Sequence, residues 1–262
     1  MAMLRRGIGP ITGIHGTSIE SVVLVDSVDV FESVKRAVDG GLQEFYGDSG
    51  FRVVTGGRKL GRLAIAFAPP YPPALYDAVQ ELVVYGARRI VAITRGFSLR
   101  RNIPAASLIL AQAAMGSDSV SSTLLPRGMP LLASRSLYAR LSEEVIRRGQ
   151  GGFEGYYRGK IVLTVDNVRM LAEHRREFLD EISRYKDIIA ADTVTAPLYA
   201  LQYIYPSLEA STLIYVEGDL DYASKVVEED IEHYQTTLHR INRSLSLLTL
   251  EMIDILAGPQ EV

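Results

Sequence analysis

The sequence predicts an α/β protein, a three-layer helix–sheet–helix fold around a mixed central sheet, closed by a long C-terminal helix. Three observations carry this. Strand-like and helix-like stretches alternate through the middle of the chain. Val79 to Leu99 (VQELVVYGARRIVAITRGFSL) reads as a helix end, a Gly86 stop, a short buried strand and a turn. Asp221 to Leu256 contains neither Gly nor Pro and keeps two apolar positions in heptad register. With 262 residues and 47% apolar content, the chain can bury one large core, and no linker divides it. It reads as a single domain over residues 1–262 with an irregular, Gly-rich segment over 1–20.

The elements follow in order. Ser21 to Val25 (SVVLV) is a strand, and Asp26-Ser27 turns the chain. Val30, Val34, Ala37 and Val38 give helical spacing up to Gly40-Gly41. Phe51–Thr55 and Leu60–Ala68 are strands joined at Gly56-Gly57, a hairpin pattern. Four prolines in five residues, Pro69 to Pro73, exclude strand or helix interior, and Pro72 or Pro73 suits a helix first turn. That helix runs to Tyr85. Arg89 to Ile93 is a β-branched run, as expected of a strand covered on both faces. Thr94-Arg95-Gly96 then stands at its carboxyl end, where open α/β sheets place ligands.

Beyond it, Ser107–Ala111 is a strand, and Gly116–Arg127 is a Ser-rich loop or lid. Leu137–Arg147 is amphipathic and is broken by Gly149–Gly152. Lys160–Val165 is a strand, Met170–Tyr185 a charged helix, and Asp187–Ala191 a strand. Thr195–Tyr205 is a helix despite Pro197, and Ser211–Val216 the last strand. In the terminal helix, Ile231, Leu238, Leu245 and Met252 recur every seven residues, as do Tyr234, Ile241, Leu248 and Ile255. Such a seam packs on the protein's own sheet or pairs with another subunit.

Composition excludes several classes. A net charge of −3 offers no basic surface for nucleic acid. Absence of Cys removes disulfides, thiolate nucleophiles and Cys-ligated metals. His15, His174, His233 and His239 have no metal-ligand spacing, so neither metal nor cofactor is expected. No apolar run is long enough to span a membrane, and the basic N-terminus lacks the continuous apolar stretch of a signal peptide. The expectation is a soluble cytoplasmic protein. Arg far outnumbers Lys, and Cys and Trp are absent, a pattern that fits heat adaptation or codon composition.

Several tracts, in this order, resemble the nucleoside phosphorylase family, which includes hexameric purine nucleoside phosphorylases and uridine phosphorylases. They are Phe51–Gly56 (FRVVTG), Glu81-Leu82 with Gly86-Ala87, Ile161–Asp166 (IVLTVD) and Asp192–Leu201 (DTVTAPLYAL). The resemblance runs from about Val22 to the last helix. It implies phosphorolysis: phosphate displaces a nucleobase from the anomeric carbon of a nucleoside. Such a site needs Arg side chains and backbone N–H groups for phosphate, a carboxylate for the ribose hydroxyls, and an acid for the leaving base. It further implies no cofactor and a homo-oligomer, a dimer or a trimer of dimers.

The family motifs are largely replaced. Where Gly-Asp-Pro-x-Arg is expected, the chain has Asp26-Ser27-Val28-Asp29-Val30. Two further Arg positions fall on Ser49 and Ala92, with Thr94 and Arg95 on the Gly and Thr that follow the latter. Pro69-Pro70-Tyr71-Pro72 replaces a Gly-rich loop, and Val168-Arg169 replaces an aromatic pair. Thr193-Val194 stands in place of the ribose-binding Met-Glu, leaving Asp192. Val216-Glu217-Gly218 stands where Val-Ser-Asp supplies the acid, with Asp219 one residue beyond. The candidate residues are therefore Glu217 and Asp219 for catalysis, Thr94, Arg95 and Gly96 for phosphate, and Tyr71, Asp166 and Asp192 for the nucleoside.

Losing one well-placed electrostatic donor costs on the order of 100- to 1,000-fold in rate. Two readings follow: a pentosyltransferase with a rebuilt site, or a non-catalytic family member kept as a binding or structural subunit. An open pocket with Arg95 and carboxylates converging on one point would favour the first. A site filled by Tyr71 and Val194 would favour the second.

Overall fold

The computed structural model describes residues 18–257 except 39, 48–49, 57–59, 127, 149–152, 175, 183 and 226–230. Residues 1–17 of the irregular segment expected over 1–20, the Gly149–Gly152 break and Ser49 lie outside the described residues.

Apolar β-branched runs form the middle of a ten-stranded mixed sheet. Strand β1 (Ser21–Val25) pairs in parallel with β4 (Leu63–Phe67) on one side and with β5 (Arg89–Ser98) on the other. Strand β3 (Arg52–Gly56) turns back onto β4 as the expected hairpin. Outside it lies β2 (Leu42–Tyr46), an edge strand that the sequence pattern does not announce. On the other side, β5 is parallel to β10 (Glu209–Asp219). Strand β10 then runs antiparallel to β6 (Leu108–Gly116), which is followed by β8 (Tyr156–Thr164) and β9 (Ile188–Asp192). The end of β9 meets the end of β5, so these five strands close on themselves. Short β7 (Pro130–Leu132) lies on β6.

Helices cover both faces. On one, α2 (Pro72–Val84) and α7 (Thr195–Ile204) bury Leu75, Val79, Leu82, Leu198 and Tyr199. Helix α2 starts on Pro72 as expected and stops at Gly86, whose φ of 106° suits Gly; a Cβ there would stand 3.0 Å from the Ile19 carbonyl. On the other face lie α1 (Val28–Ala37), α4 (Arg135–Arg148) and α9 (Ile231–Ala257). Ser27 caps α1 by accepting from the Val30 N–H. Short helix α3 (Ser121–Leu124) interrupts the expected Ser-rich loop. The expected charged helix at 170–185 is two helices, α5 (Val168–His174) and α6 (Arg176–Ile182). With α8 (Leu220–Lys225) they form a third cluster over β8 and β9.

The terminal seam has an internal partner. Ile241, Leu245, Leu248, Met252 and Ile255 are all buried in the cluster that holds Val23, Val25 and Ile65. Burial of each such side chain stabilises by about 1.5–3 kcal/mol, which fixes this half of α9 on its own sheet. The side chains of Ile231 and Tyr234 lie outside the description. Among the described residues no helix is long and apolar enough to cross a membrane, and no group of three or more metal-binding side chains occurs.

Candidate functional site

Strands β1, β5 and β10 are mutually parallel, so their carboxyl ends gather on one edge of the sheet. The register sets Val25 beside Ile93, and Arg95 beside Tyr215. Asp26 leaves β1 there. Strand β5 does not end at Ile93: it continues to Ser98, so Thr94, Arg95 and Gly96 lie within the strand rather than on an exit loop. Ala92, the expected position of a phosphate Arg, is wholly buried mid-sheet between Leu24 and Thr212. Arg95, three positions further on, reaches the carboxyl edge of the strands instead.

Three charged side chains meet at this edge. Arg95 Nε is 3.4 Å from Asp26 Oδ1, and Arg95 Nη1 is 3.3 Å from Glu217 Oε1. The Asp26 and Glu217 side chains are 5% and 9% exposed, and Arg95 is 25% exposed. Asp26 is fixed from its other oxygen. The Thr94 hydroxyl donates to Asp26 Oδ2 at 2.8 Å and the Arg95 backbone N–H at 2.9 Å. Its Oδ1 faces Arg95 as an ion pair without hydrogen-bond geometry. Glu217 reaches the cluster from an irregularity in β10, where the register with β5 shifts between Val216 and Gly218. Burial pushes the Glu217 carboxyl above its ordinary range. Arg95 opposes that rise, Asp26 adds to it, and Arg169 of α5 opposes it.

The structure thus joins Thr94, Arg95 and Glu217 of the expected set, through Asp26, which the sequence places in a turn and in the replaced Gly-Asp-Pro-x-Arg tract but not among the candidate site residues. Its one signal was position, at the first strand's carboxyl end. Arg169, read only as the replacement of an aromatic, lies near enough to act on Glu217.

The remaining candidates are placed otherwise. Gly96 permits a close approach: a Cβ there would stand 2.7 Å from both the Ala191 carbonyl oxygen and Ile214 Cγ2. That is a packing demand where β5, β9 and β10 converge. Asp192 is wholly buried. Its carboxylate accepts from the Thr164 hydroxyl at 2.6 Å, the Thr195 N–H at 3.0 Å and the Thr195 hydroxyl. It thereby ties β8, β9 and α7 together. Burial raises it to about 6, although these donors favour its charged form. Asp219 is exposed and accepts from the Tyr222 N–H at 2.9 Å, capping α8.

Asp166 is exposed and accepts from the Ser119 N–H and hydroxyl at 3.1 and 2.8 Å. It lines a cavity of about 390 Å³ with Asn167, Met170 and Phe178. Tyr71 is 63% exposed at the start of α2, so it does not fill the site, whereas Val194 is buried. Arg95 and two carboxylates do converge, but on one another.

No protein-family model matches the chain, and no curated protein does. Its fold is that of solved nucleoside phosphorylases. Purine nucleoside phosphorylase from Toxoplasma gondii, crystallised with immucillin-H, is similar at a TM-score of 0.77 and 17% identity, over 98% of this chain and 99% of that one. Uridine phosphorylase from Vibrio fischeri ES114, complexed with 6-hydroxy-1-naphthoic acid, gives 0.77 and 17% over 95% and 96%. A second structure of uridine phosphorylase from Vibrio fischeri ES114 gives 0.76 and 16% over 97% and 99%.

Proposed function

We propose that the chain belongs to the nucleoside phosphorylase family and has lost phosphate-dependent nucleoside cleavage, keeping the fold as a ligand-binding or structural subunit. One observation carries the reading: Arg95, the cation at the ligand edge, is held between Asp26 and Glu217. Two like charges about 4 Å apart repel by about 4 kcal/mol at an effective dielectric near 20. A phosphate entering here gains one such attraction from Arg95 and meets two carboxylates. Val30 and Val194, at positions where the family carries a phosphate Arg and the ribose Glu, supply neither charge. In this reading the protein is cytoplasmic and homo-oligomeric and requires no cofactor.

The test is base release from adenosine, guanosine, inosine and uridine, with and without phosphate. The expected result is no phosphate-dependent release from any of them. Turnover that rises and saturates with phosphate would overturn the proposal.

A second reading has its own observation. Glu217 is buried with a raised pKa, the condition of a carboxylic acid that can protonate a leaving base. It predicts base release with water in place of phosphate, lost in Glu217→Gln. Absence of phosphate-independent release removes it.

A further inference from the structure

The ion cluster has a feature that loss of function alone does not require. Glu217 contacts Arg95 from outside the regular register of β10, at the bulge between Val216 and Gly218. Asp26 holds the same guanidinium independently. It pairs with Nε, and it is itself fixed through Oδ2 by the Thr94 hydroxyl and the Arg95 N–H. The orientation of Arg95 is therefore set by β1 and β5, and Glu217 occupies the Nη1 side of an arginine already in place. A carboxylate beside a guanidinium is also the nearest side-chain analogue of a bound oxyanion, since both accept charge-assisted hydrogen bonds from the same planar fork.

We propose that Glu217 is a built-in occupant of an oxyanion site, and that removing its carboxylate lets Arg95 take a phosphate group in its place. The proposal rests on the reading that the wild-type site does not use phosphate. Charge counting supports it. With Glu217 present, two carboxylates face the one guanidinium of the cluster, a net charge of −1. Without Glu217 the cluster is neutral, Arg95 keeps only Asp26 as its carboxylate, and the repulsion that Glu217 exerts on an entering anion is gone. Glu217→Ala also vacates roughly the room that its own carboxylate filled. The ligand class is a small phosphate or phosphomonoester, and the probe is inorganic phosphate.

The experiment is calorimetric titration of phosphate, with melting temperature as a second readout, at constant ionic strength. The wild type should show no saturable binding. Glu217→Ala should bind phosphate saturably, about tenfold or more tighter than the weakest binding the titration resolves, with a matching rise in melting temperature. Adding Arg95→Met to that variant should abolish the gain. Glu217→Gln keeps the bulk and removes the charge, so it should fall between wild type and Glu217→Ala; it also serves if the alanine variant fails to fold.

A folded Glu217→Ala or Glu217→Gln without phosphate binding overturns the inference and leaves the functional reading standing. Wild-type binding as tight as that of Glu217→Ala overturns the inference too, because Glu217 then excludes nothing. Binding by Glu217→Ala that survives Arg95→Met places the anion elsewhere and also overturns it. Phosphorolysis by the wild type, measured separately, would instead overturn the functional reading.

Discussion

Two buried carboxylate sites flank the junction of β5 and β9, and they keep their charges by different means. At one, Asp26 and Glu217 enclose Arg95, so charge is met by charge. At the other, Asp192 has hydroxyl and backbone donors around it, and no hydrogen bond or ion pair to a cation is seen among the described residues. The first arrangement fails when its cation is removed, because burial makes uncompensated charges costly. The second can relieve itself by taking up a proton, and its pKa of about 6 reflects that. The contrast separates a charged cluster at the carboxyl edge of the parallel strands from a carboxylate that holds strands and a helix together.

The largest expected effect comes from breaking the first site. Arg95→Met leaves Asp26 and Glu217 buried without their shared cation, and breaking such a cluster costs about 3–5 kcal/mol. Equilibrium denaturation would show a lower midpoint with an unchanged slope. A loss below about 1 kcal/mol would mean that the cluster is solvated like a surface pair, and the comparison would collapse.

A smaller effect tests the second site through pH. The folded-state pKa of Asp192, about 6, lies above its ordinary value of 3.8, so the native chain holds this proton more tightly than the unfolded chain. Its contribution is complete below the unfolded pKa and is lost as pH rises through 6. From pH 7 to pH 5, stability should rise by about 1 kcal/mol from this group. Glu217, also raised, acts in the same direction. Asp192→Asn should flatten the Asp192 part of the slope while losing stability at pH 7 through its poorer acceptor. An unaltered slope in that variant would remove Asp192 as the titrating group.

The sequence made one of these sites more legible than the other. Asp192 stands at the end of a short apolar strand and just before a helix, and Thr195 three positions on is a local partner, so the neighbourhood was readable. Arg95 was found, but its strand was cut short at Ile93 because a Thr-Arg-Gly triplet interrupts an apolar run. What keeps that triplet in the strand is distant: Asp26 lies 69 positions earlier in the chain, and Gly96 is set by contacts with Ala191 and Ile214. Period and propensity carry no trace of such partners. The same reason hid the closure of β5 onto β10 and β9. Strand β2 was missed for another cause, since its side chains are half-buried at best and show little apolar pattern. Most helices, whose signals are local, came through within a few residues, but the one expected over 170–185 is two, and β5 and β6 run about five residues past their expected ends.

The smallest effect falls at the rim of the first site. Asp219 follows Glu217 by two residues, and the family resemblance makes it a candidate acid. Its carboxylate instead accepts from the Tyr222 N–H at the start of α8 and faces solvent. Replacing a capping Asp by Ala typically costs about 1 kcal/mol, so Asp219→Ala should lower the melting temperature slightly. Asp219→Asn, which can still cap, should restore most of that loss. Recovery in Asp219→Asn together with unchanged phosphate behaviour at Arg95 would confine Asp219 to the helix end. A change in ligand response at constant stability would instead return it to the site and extend the charged cluster beyond Asp26, Arg95 and Glu217. The discriminating quantity is the ratio between the two variants, because a cap needs only an acceptor, whereas an acid needs a proton that Asn cannot supply.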